Sequence, residues 1–143
     1  IIGTGSRTMK PMEVIRMTDE KNFTRYCPVF YGMGAMLSSE SYQSSYLDVD
    51  LSAILDINIT RKGAASARIA SIKITPIYSN WYDYQVQPVP VCEAKDTDKY
   101  ASLLDSDDLE RIDYAYENLI KTLLDGTDLS YEYTDYSYTI NIQ

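Results

Sequence analysis

The residues best equipped for chemistry lie in the opening stretch, "IIGTGSRTMKPMEVI". Gly3 and Gly5 offer main-chain amides with no side chain in the way, and Ser6, Arg7, Lys10 and Glu13 follow. A hydroxyl, two cations and a carboxylate around open amides could hold an anionic group. The same charges would also decorate a tight surface loop. They are poor equipment for catalysis. The chain contains no histidine, which removes the commonest general base and the commonest transition-metal ligand. Ser6 lacks a nucleophile-elbow context, and a serine–lysine pair with Lys10 is the one nucleophilic arrangement left. The "GTG" completes no nucleotide motif. A dinucleotide fingerprint needs a third glycine where Thr8 stands, and a P-loop needs Gly-Lys-Ser/Thr.

Other candidates have structural explanations beside the chemical ones. Asp48 and Asp50, two apart on an expected strand, would point the same way. A calcium site takes about six to eight oxygen ligands, so the expected role of this pair is the polar face of a strand. Asp107 and Asp108 sit where a helix begins and suit the positive end of its dipole. Cys27 and Cys92 are too few for a disulfide framework or a thiolate zinc site; they form either one bridge or two buried thiols. The tyrosine-rich tail reads as a sugar-stacking platform or, more simply, as a sheet face with hydroxyls at its wet edge.

The elements that must position these residues are mostly strands as far as residue 92. Pro11–Met17 and Pro28–Met36 read as short strands, with "TDEKN" as the turn between them. The glycines of "PVFYGMGAM" point to a bulge or a close backbone approach. A serine-rich loop, "LSSESYQSS", follows. In "YLDVDLSAILDINIT" apolar residues alternate from Leu47 to Ile59, the mark of a half-buried antiparallel strand. "RKG" supplies a turn with Gly63 at positive φ, and "SARIASIKITPIY" returns as the hairpin partner. Pro76 is expected to end the pairing or to sit on an edge. "YQVQPVPV", with Pro88 and Pro90 unable to donate ladder hydrogen bonds, is an edge strand or extended arm.

Beyond residue 92 the pattern changes. "SDDLERIDYAYENLIKTLLDG" predicts a helix with Asp105 or Ser106 as its cap. Its apolar stripe is Leu109, Ile112, Tyr116, Leu119, Ile120 and Leu123, and Gly126 is its stop. A shorter helix is expected over Thr97–Leu104, within a linker running from Cys92 to Ser106. In the tail, Leu129, Tyr131 and Tyr133 share one face. Tyr136, Tyr138, Ile140 and Ile142 share another, with a turn or bulge near Asp135. Strands, then one long helix, then strands predict an α+β chain built mainly on antiparallel sheet.

Bulk properties narrow the function. A chain of 143 residues suits one domain, divided into a β-rich region 1–92 and a helix-plus-tail region 93–143. Residues 1–92 carry 9 basic and 8 acidic side chains, whereas residues 93–143 carry 4 and 13. Affinity for nucleic acid comes largely from Lys and Arg neutralising phosphates, so no nucleic-acid partner is expected. The chain starts at Ile1, shows no signal peptide, and has no apolar run of the ~20 residues a bilayer span needs. It therefore reads as part of a longer protein, with membrane attachment only through segments outside it.

Three stretches in order carry a resemblance. "IIGTGSRTMKPMEVI" is similar to the late strand, His-Pro-His turn and Gln-Pro-x-Glu-like strand of the bacterial capsule-synthesis CapA family, also called the poly-γ-glutamate synthesis family. "PVFYGMGAMLS" resembles that family's Pro-Val-x-Tyr-Ser-Leu-Gly-Asn-Phe strand, and the hairpin, "TPIYSNWY" and "YQVQPVPV" follow its closing order. The match covers residues 1–92 well and the helix at 106–125 loosely. The family is related to calcineurin-like metallophosphoesterases. The resemblance therefore implies the C-terminal part of a four-layer α/β/β/α fold, an extracytoplasmic or cell-surface setting, and a role in synthesis or retention of an anionic polymer, with that polymer or other capsule-synthesis proteins as partners. It also implies lost metal ligands. The turn's two histidine positions fall on Gly5 and Arg7, and the asparagine falls on Ala35. Gly5 and Ala35 have no donor atom, and Arg7 would repel a metal. No metal and no cofactor are expected, and the chain alone is expected to be non-catalytic. Gly5, Ser6, Arg7, Lys10 and Glu13 remain as the candidate anion or ligand site, Glu13 matching the family's glutamate after proline. The alternatives are an extracellular β-rich binding or interaction module using the tyrosine-rich strands, and a metallophosphoesterase-like hydrolase that needs an N-terminal half.

Overall fold

A computed structural model describes the chain except residues 19, 21, 64–66 and 143 and the side chains of residues 42 and 44. The architecture is α+β with antiparallel strand pairing throughout its ladders. Strands β1 (Met12–Thr18) and β2 (Thr24–Phe30) form a two-stranded sheet. The opening segment lies along the other side of β2, through a parallel bridge from Ile2 to Phe30. The opening segment thus runs beside β2 before its loop, and β1 begins at Met12, within the strand expected at 11–17. The second strand, expected at 28–36, ends at Phe30 because glycines take over there. Gly34 has φ +74°, and a Cβ on it would lie 2.3 Å from the Leu51 carbonyl oxygen. The expected close approach of backbone is met at this point, not within a strand. The expected turn over 18–22 includes residues 19 and 21, and the expected hairpin return starts at residue 66; both positions lie outside the described residues.

The larger sheet is organised around β4 (Arg68–Tyr82). One side of β4 pairs with β3 (Leu51–Thr60). The other side pairs with β7 (Ser137–Asn141) over residues 71–74 and with β5 (Gln85–Pro90) over residues 77–82. Pro76 falls between these two partners. It ends neither the strand nor its pairing with β3, where it stands opposite Ala53. A proline is tolerated inside β4 because the strand changes neighbours there and a ladder bond is dispensable. β5 is an edge strand as expected. β6 (Tyr131–Thr134) completes the sheet beyond β7.

Two tight hairpins join these strands. Asp83–Tyr84 and Asp135–Tyr136 occupy the two central turn positions, all four with φ between 49° and 59°. Both are primed turns, whose twist matches that of the flanking strands. The turn near Asp135 is the expected one, and Gly63 has the expected positive φ.

The core forms where helix α3 (Ser106–Leu124) lies on the sheet. Asp105 caps it, its carboxylate accepting from the amides of Asp107 and Asp108 at 2.9 Å. The Asp105 amide donates in return to the Asp108 carboxylate at 3.0 Å. This reciprocal capping box satisfies amides that have no partner within the helix. Ile112, Ala115 and Leu119 pack with Leu51, Tyr78, Val89 and Val91, and Ile120, Leu123 and Leu124 pack with Ile72, Ile74, Tyr138 and Ile140. Each large side chain so buried contributes about 1.5–3 kcal/mol. Leu109, expected in the stripe, is exposed, and Arg111 and Ala115 are buried in its place. Past Asp125, Gly126 turns the chain at φ +77°.

The short helices also differ from expectation. α1 covers Tyr42–Ser45, and α2 covers Val91–Asp96. The helix expected at 97–104 is thus upstream, and 97–104 is a chain of turns. Val91, Cys92 and Ala94 supply α2 with a buried face that carries it onto α3. Both cysteines are free thiols. No helix among the described residues is long and apolar enough to cross a membrane.

Candidate functional site

The structure gives the residues of the opening loop separate partners. Gly5 has φ +93° with open space where a side chain would be. Ser6 Oγ donates to the Thr8 carbonyl at 2.6 Å. Arg7 is ion-paired with Glu40, both side chains exposed. The Lys10 amide donates to the Gly32 carbonyl at 3.0 Å. Glu13 accepts a hydrogen bond from the Tyr31 hydroxyl. The loop is pinned at one point by Gly32, whose hypothetical Cβ would lie 2.5 Å from Ser6 Cβ. Gly5 and Ala35 carry no side-chain donor atom, and Arg7 is engaged by Glu40. Among the described residues no group of three or more His, Cys, Asp or Glu side chains could hold a metal.

The stronger constellation lies where that loop meets the 46–51 turn and α3. Strand β3 begins at Leu51, four residues later than the alternation of apolar residues suggests. Tyr46 has φ 53°, and the Val49 amide donates to the Leu47 carbonyl at 2.7 Å, so the chain turns between them instead of extending. Asp48 and Asp50 are therefore in a turn, not on the polar face of a strand. Asp50 is 1% exposed. Its carboxylate accepts from Arg111 Nε at 3.1 Å and from Arg111 Nη2 at 2.8 Å, a bidentate fork. Arg111 Nη2 also donates to Asp48 Oδ1 at 2.9 Å, and the Tyr114 hydroxyl donates to Asp48 Oδ2 at 3.2 Å. The guanidinium lies 4.8 Å from the Tyr114 ring centroid, a cation–π contact. Burial works against the charge of Arg111, but the bonds it donates to Asp50 and Asp48, and their charges, outweigh that and raise its pKa. Arg111 is charged throughout any accessible pH range.

Asp50 is wholly inside, whereas the Asp48 side chain is 40% exposed. Asp48 faces a half-open cleft of about 230 Å³. Leu51, Leu119 and Met9 contribute apolar lining; Tyr46, Tyr114 and Asn118 stand around them, and Thr8 and Thr122 add hydroxyls. The opening loop thus contributes to a site after all, through Thr8 and Met9 rather than through the residues singled out from sequence. The ion pair of Arg7 with Glu40 ties the segment before Thr8 to the segment that leads into Tyr46.

Arg111 and Tyr114 were not visible as site residues in the sequence. One signal was available. Arg111, Ala115 and Leu119 are spaced by four, so Arg111 shares the buried stripe of α3. A cation in register with an apolar stripe requires buried counter-charge, and only a fold can say which carboxylate provides it.

A second buried polar cluster is structural. The Tyr78 hydroxyl donates to Asp108 Oδ1 at 2.6 Å. Burial, then this bond and the nearby carboxylate charges, push the Tyr78 hydroxyl pKa well up. The tail tyrosines also pack: the ring centroids of Tyr131 and Tyr133 each lie 5.3 Å from that of Tyr138. The two faces distinguished in the tail sequence become one, because the turn at Asp135–Tyr136 sets Tyr133 opposite Tyr138. Comparison of the chain with protein-family models, with curated proteins and with solved structures found no match.

Proposed function

We propose that this chain is a ligand-binding module without catalytic chemistry of its own, and that its ligand is a small hydroxylated ring, such as one unit of a polysaccharide, seated in the cleft beside Asp48. The carrying observation is the Asp48 carboxylate. It is held by Arg111 and Tyr114 at the rim of an apolar-lined cleft, with amide and hydroxyl groups around it. A carboxylate fixed by two donors keeps lone pairs for ligand hydroxyls and loses no side-chain freedom on binding. Ring C–H groups suit the Leu51, Leu119 and Met9 surface and the tyrosine rings. Small-ligand sites combine apolar lining with a few fixed polar groups in this way. Among the described residues no histidine, thiol or serine–lysine pair lines the cleft, and its lining of apolar, amide and hydroxyl groups suits binding. Calorimetric titration with a panel of hexoses and amino sugars tests the reading, with Asn118→Ala as the cleft variant. Saturable binding weakened by Asn118→Ala is expected. The absence of saturable binding across the panel overturns it.

A setting for the module comes from the resemblance to the capsule-synthesis CapA family. One observation favours it: the two segments that carry the resemblance lie side by side, Ile2 bridging Phe30 and Gly3 donating to the Phe30 carbonyl at 2.6 Å. On this reading the chain is the C-terminal part of a longer cell-surface protein of metallophosphoesterase-like fold. It serves synthesis or retention of a capsule polymer, and Arg7 and Lys10 offer an anionic polymer a contact once Glu40 yields. Titration of poly-γ-glutamate against wild type and Arg7→Ala tests this contact. Equal affinities remove Arg7 from it.

A further inference from the structure

Charge identifies the class of ligand more closely than shape does, and this step rests on the cleft being a binding site. Of the charges on the elements that build the cleft, Asp48, Asp50 and Arg111 contact one another; the segments that enter it add Arg7, Lys10 and Glu40, and α3 adds Asp107, Asp108, Glu110, Asp113 and Glu117 against Lys121. Arg7 and Glu40 neutralise each other. Arg111 is shared between Asp50, which holds it by a fork, and Asp48, which receives a single bond from Nη2. One cation thus serves two carboxylates, and the unneutralised charge resides on Asp48, the exposed member. The chain beyond residue 92 deepens this negative field, with 13 acidic against 4 basic side chains. Anionic ligands are repelled from such a site, and a neutral ring leaves the surplus charge unanswered.

The contacts already made by Asp48 say what can answer it. Oδ1 accepts from Arg111, and Oδ2 accepts from the Tyr114 hydroxyl, a neutral donor. An ionised carboxylate has acceptor capacity left on both oxygens. Asn118 directs its Nδ2 donor back to the Tyr114 carbonyl at 2.9 Å. That bond uses one of its two N–H groups, so its Oδ1 acceptor and one N–H are left for a ligand. Asp48 and the Asn118 Oδ1 thus offer acceptors to a ligand in this cleft, and the charge of Asp48 calls for a positive donor. Rings of Tyr46 and Tyr114 also line the cleft, and aromatic faces attract organic cations.

We infer that the cleft selects a protonated primary amine carried on a hydroxylated ring, an amino sugar with its amine free, with the ammonium on Asp48 and Asn118 and the ring against Leu51 and Leu119. No bond is made or broken; this is recognition only.

The test uses the whole 143-residue chain and three probes of nearly one shape: glucosamine, glucose and N-acetylglucosamine, titrated by calorimetry at a pH where the free amine is protonated. Glucosamine binds about fivefold or more tighter than glucose, the weight of one partly exposed ion pair. N-acetylglucosamine behaves like glucose because acetylation removes the charge. Asp48→Asn, which keeps the side-chain shape while Asp50 retains Arg111, reduces the preference to near unity, and a far-ultraviolet circular dichroism spectrum like that of wild type shows that the fold survives. Raising the salt concentration narrows the preference in wild type but not in Asp48→Asn. Equal binding of glucosamine and glucose overturns the amine assignment and leaves the cleft reading standing. Binding of none of the three removes the assignment, and binding of other rings in the wider panel would still keep the cleft. A glucosamine preference that persists in Asp48→Asn also overturns the assignment.

Discussion

Arg111 and Asp50, 61 residues apart in sequence, meet inside the protein as a bidentate pair, with Nε to Oδ2 at 3.1 Å and Nη2 to Oδ1 at 2.8 Å. The pair joins α3 to the turn that opens β3, and it places Asp48 at the mouth of the cleft. Removing one partner strands the other without compensation. Arg111→Met is expected to cost about 3–5 kcal/mol in urea unfolding, and removing both charges in Arg111→Met with Asp50→Leu costs less than the sum of the two single changes. Strict additivity would show that the pair is not energetically coupled.

The hairpin between β4 and β5 turns through Asp83 and Tyr84, with φ of 49° and 59°. Tyr84 is 90% exposed, so nothing its side chain packs against offsets a left-handed backbone. Asp83→Asn with Tyr84→Gly supplies the residues that this turn favours and is expected to stabilise the fold by about 1 kcal/mol. Thermal unfolding of the double variant measures it; a lower midpoint would mean that Tyr84 holds the tip by contacts of its own.

Gly34 makes the opposite point. With φ +74° and the Leu51 carbonyl oxygen 2.3 Å from where a Cβ would stand, Gly34→Ala forces the 33–38 loop off the start of β3. The Ala53 amide bond to the Met33 carbonyl, 3.2 Å, would go with it. A loss of about 2–4 kcal/mol is expected, in the range of steric and left-handed strain combined. Unchanged denaturation would show that the loop has room to move.

Cys92 is wholly buried. Burial, only partly opposed by hydrogen bonds with Tyr138 and Tyr133, pushes its thiol from the ordinary 9.0 to about 11. The unfolded chain therefore releases this proton at lower pH than the folded chain does. Stability is complete below about 9 and falls as pH rises towards about 11. The hydroxyls of Tyr78, Tyr133 and Tyr138, all raised chiefly by burial, act in the same direction at higher pH. Urea midpoints between pH 8 and pH 11 should drop by the equivalent of about 2 kcal/mol from the thiol, and Cys92→Ala should flatten that slope without removing it. At pH 8 an alkylating reagent should modify the partly exposed Cys27 before Cys92; equal rates would contradict the burial.

Much of the scaffold was legible from local pattern. The alternation from Leu51 onward, the helix with its acidic first turn, Gly63, Gly126 and the turn at Asp135 all express short-range rules. What escaped depends on distant partners or on turns without their usual residues. Leu47 and Val49 continue the apolar alternation, yet the strand begins at Leu51, because the chain turns at 47–49 and Arg111 captures both aspartates. Asp-Tyr at the 83–84 hairpin tip replaces the Asn-Gly or Asp-Gly that would have announced it. Pro76 looked like a strand end because its sequence context cannot show that β4 exchanges one neighbour for another. The candidate site was half visible: the opening loop does reach it, but through Thr8 and Met9. Its principal carboxylate had a plausible place on a strand face.

The central claim is that the cleft beside Asp48 is the binding site, and chemical-shift mapping on the isotope-labelled chain tests it most directly. Added glucosamine should shift, in a saturable manner, the amide resonances of Thr8, Asp48, Tyr114, Asn118 and Thr122, while those of β1 and of the 83–84 turn stay in place. Saturable shifts confined to other surfaces, or no shifts in these five residues at ligand excess, would contradict it.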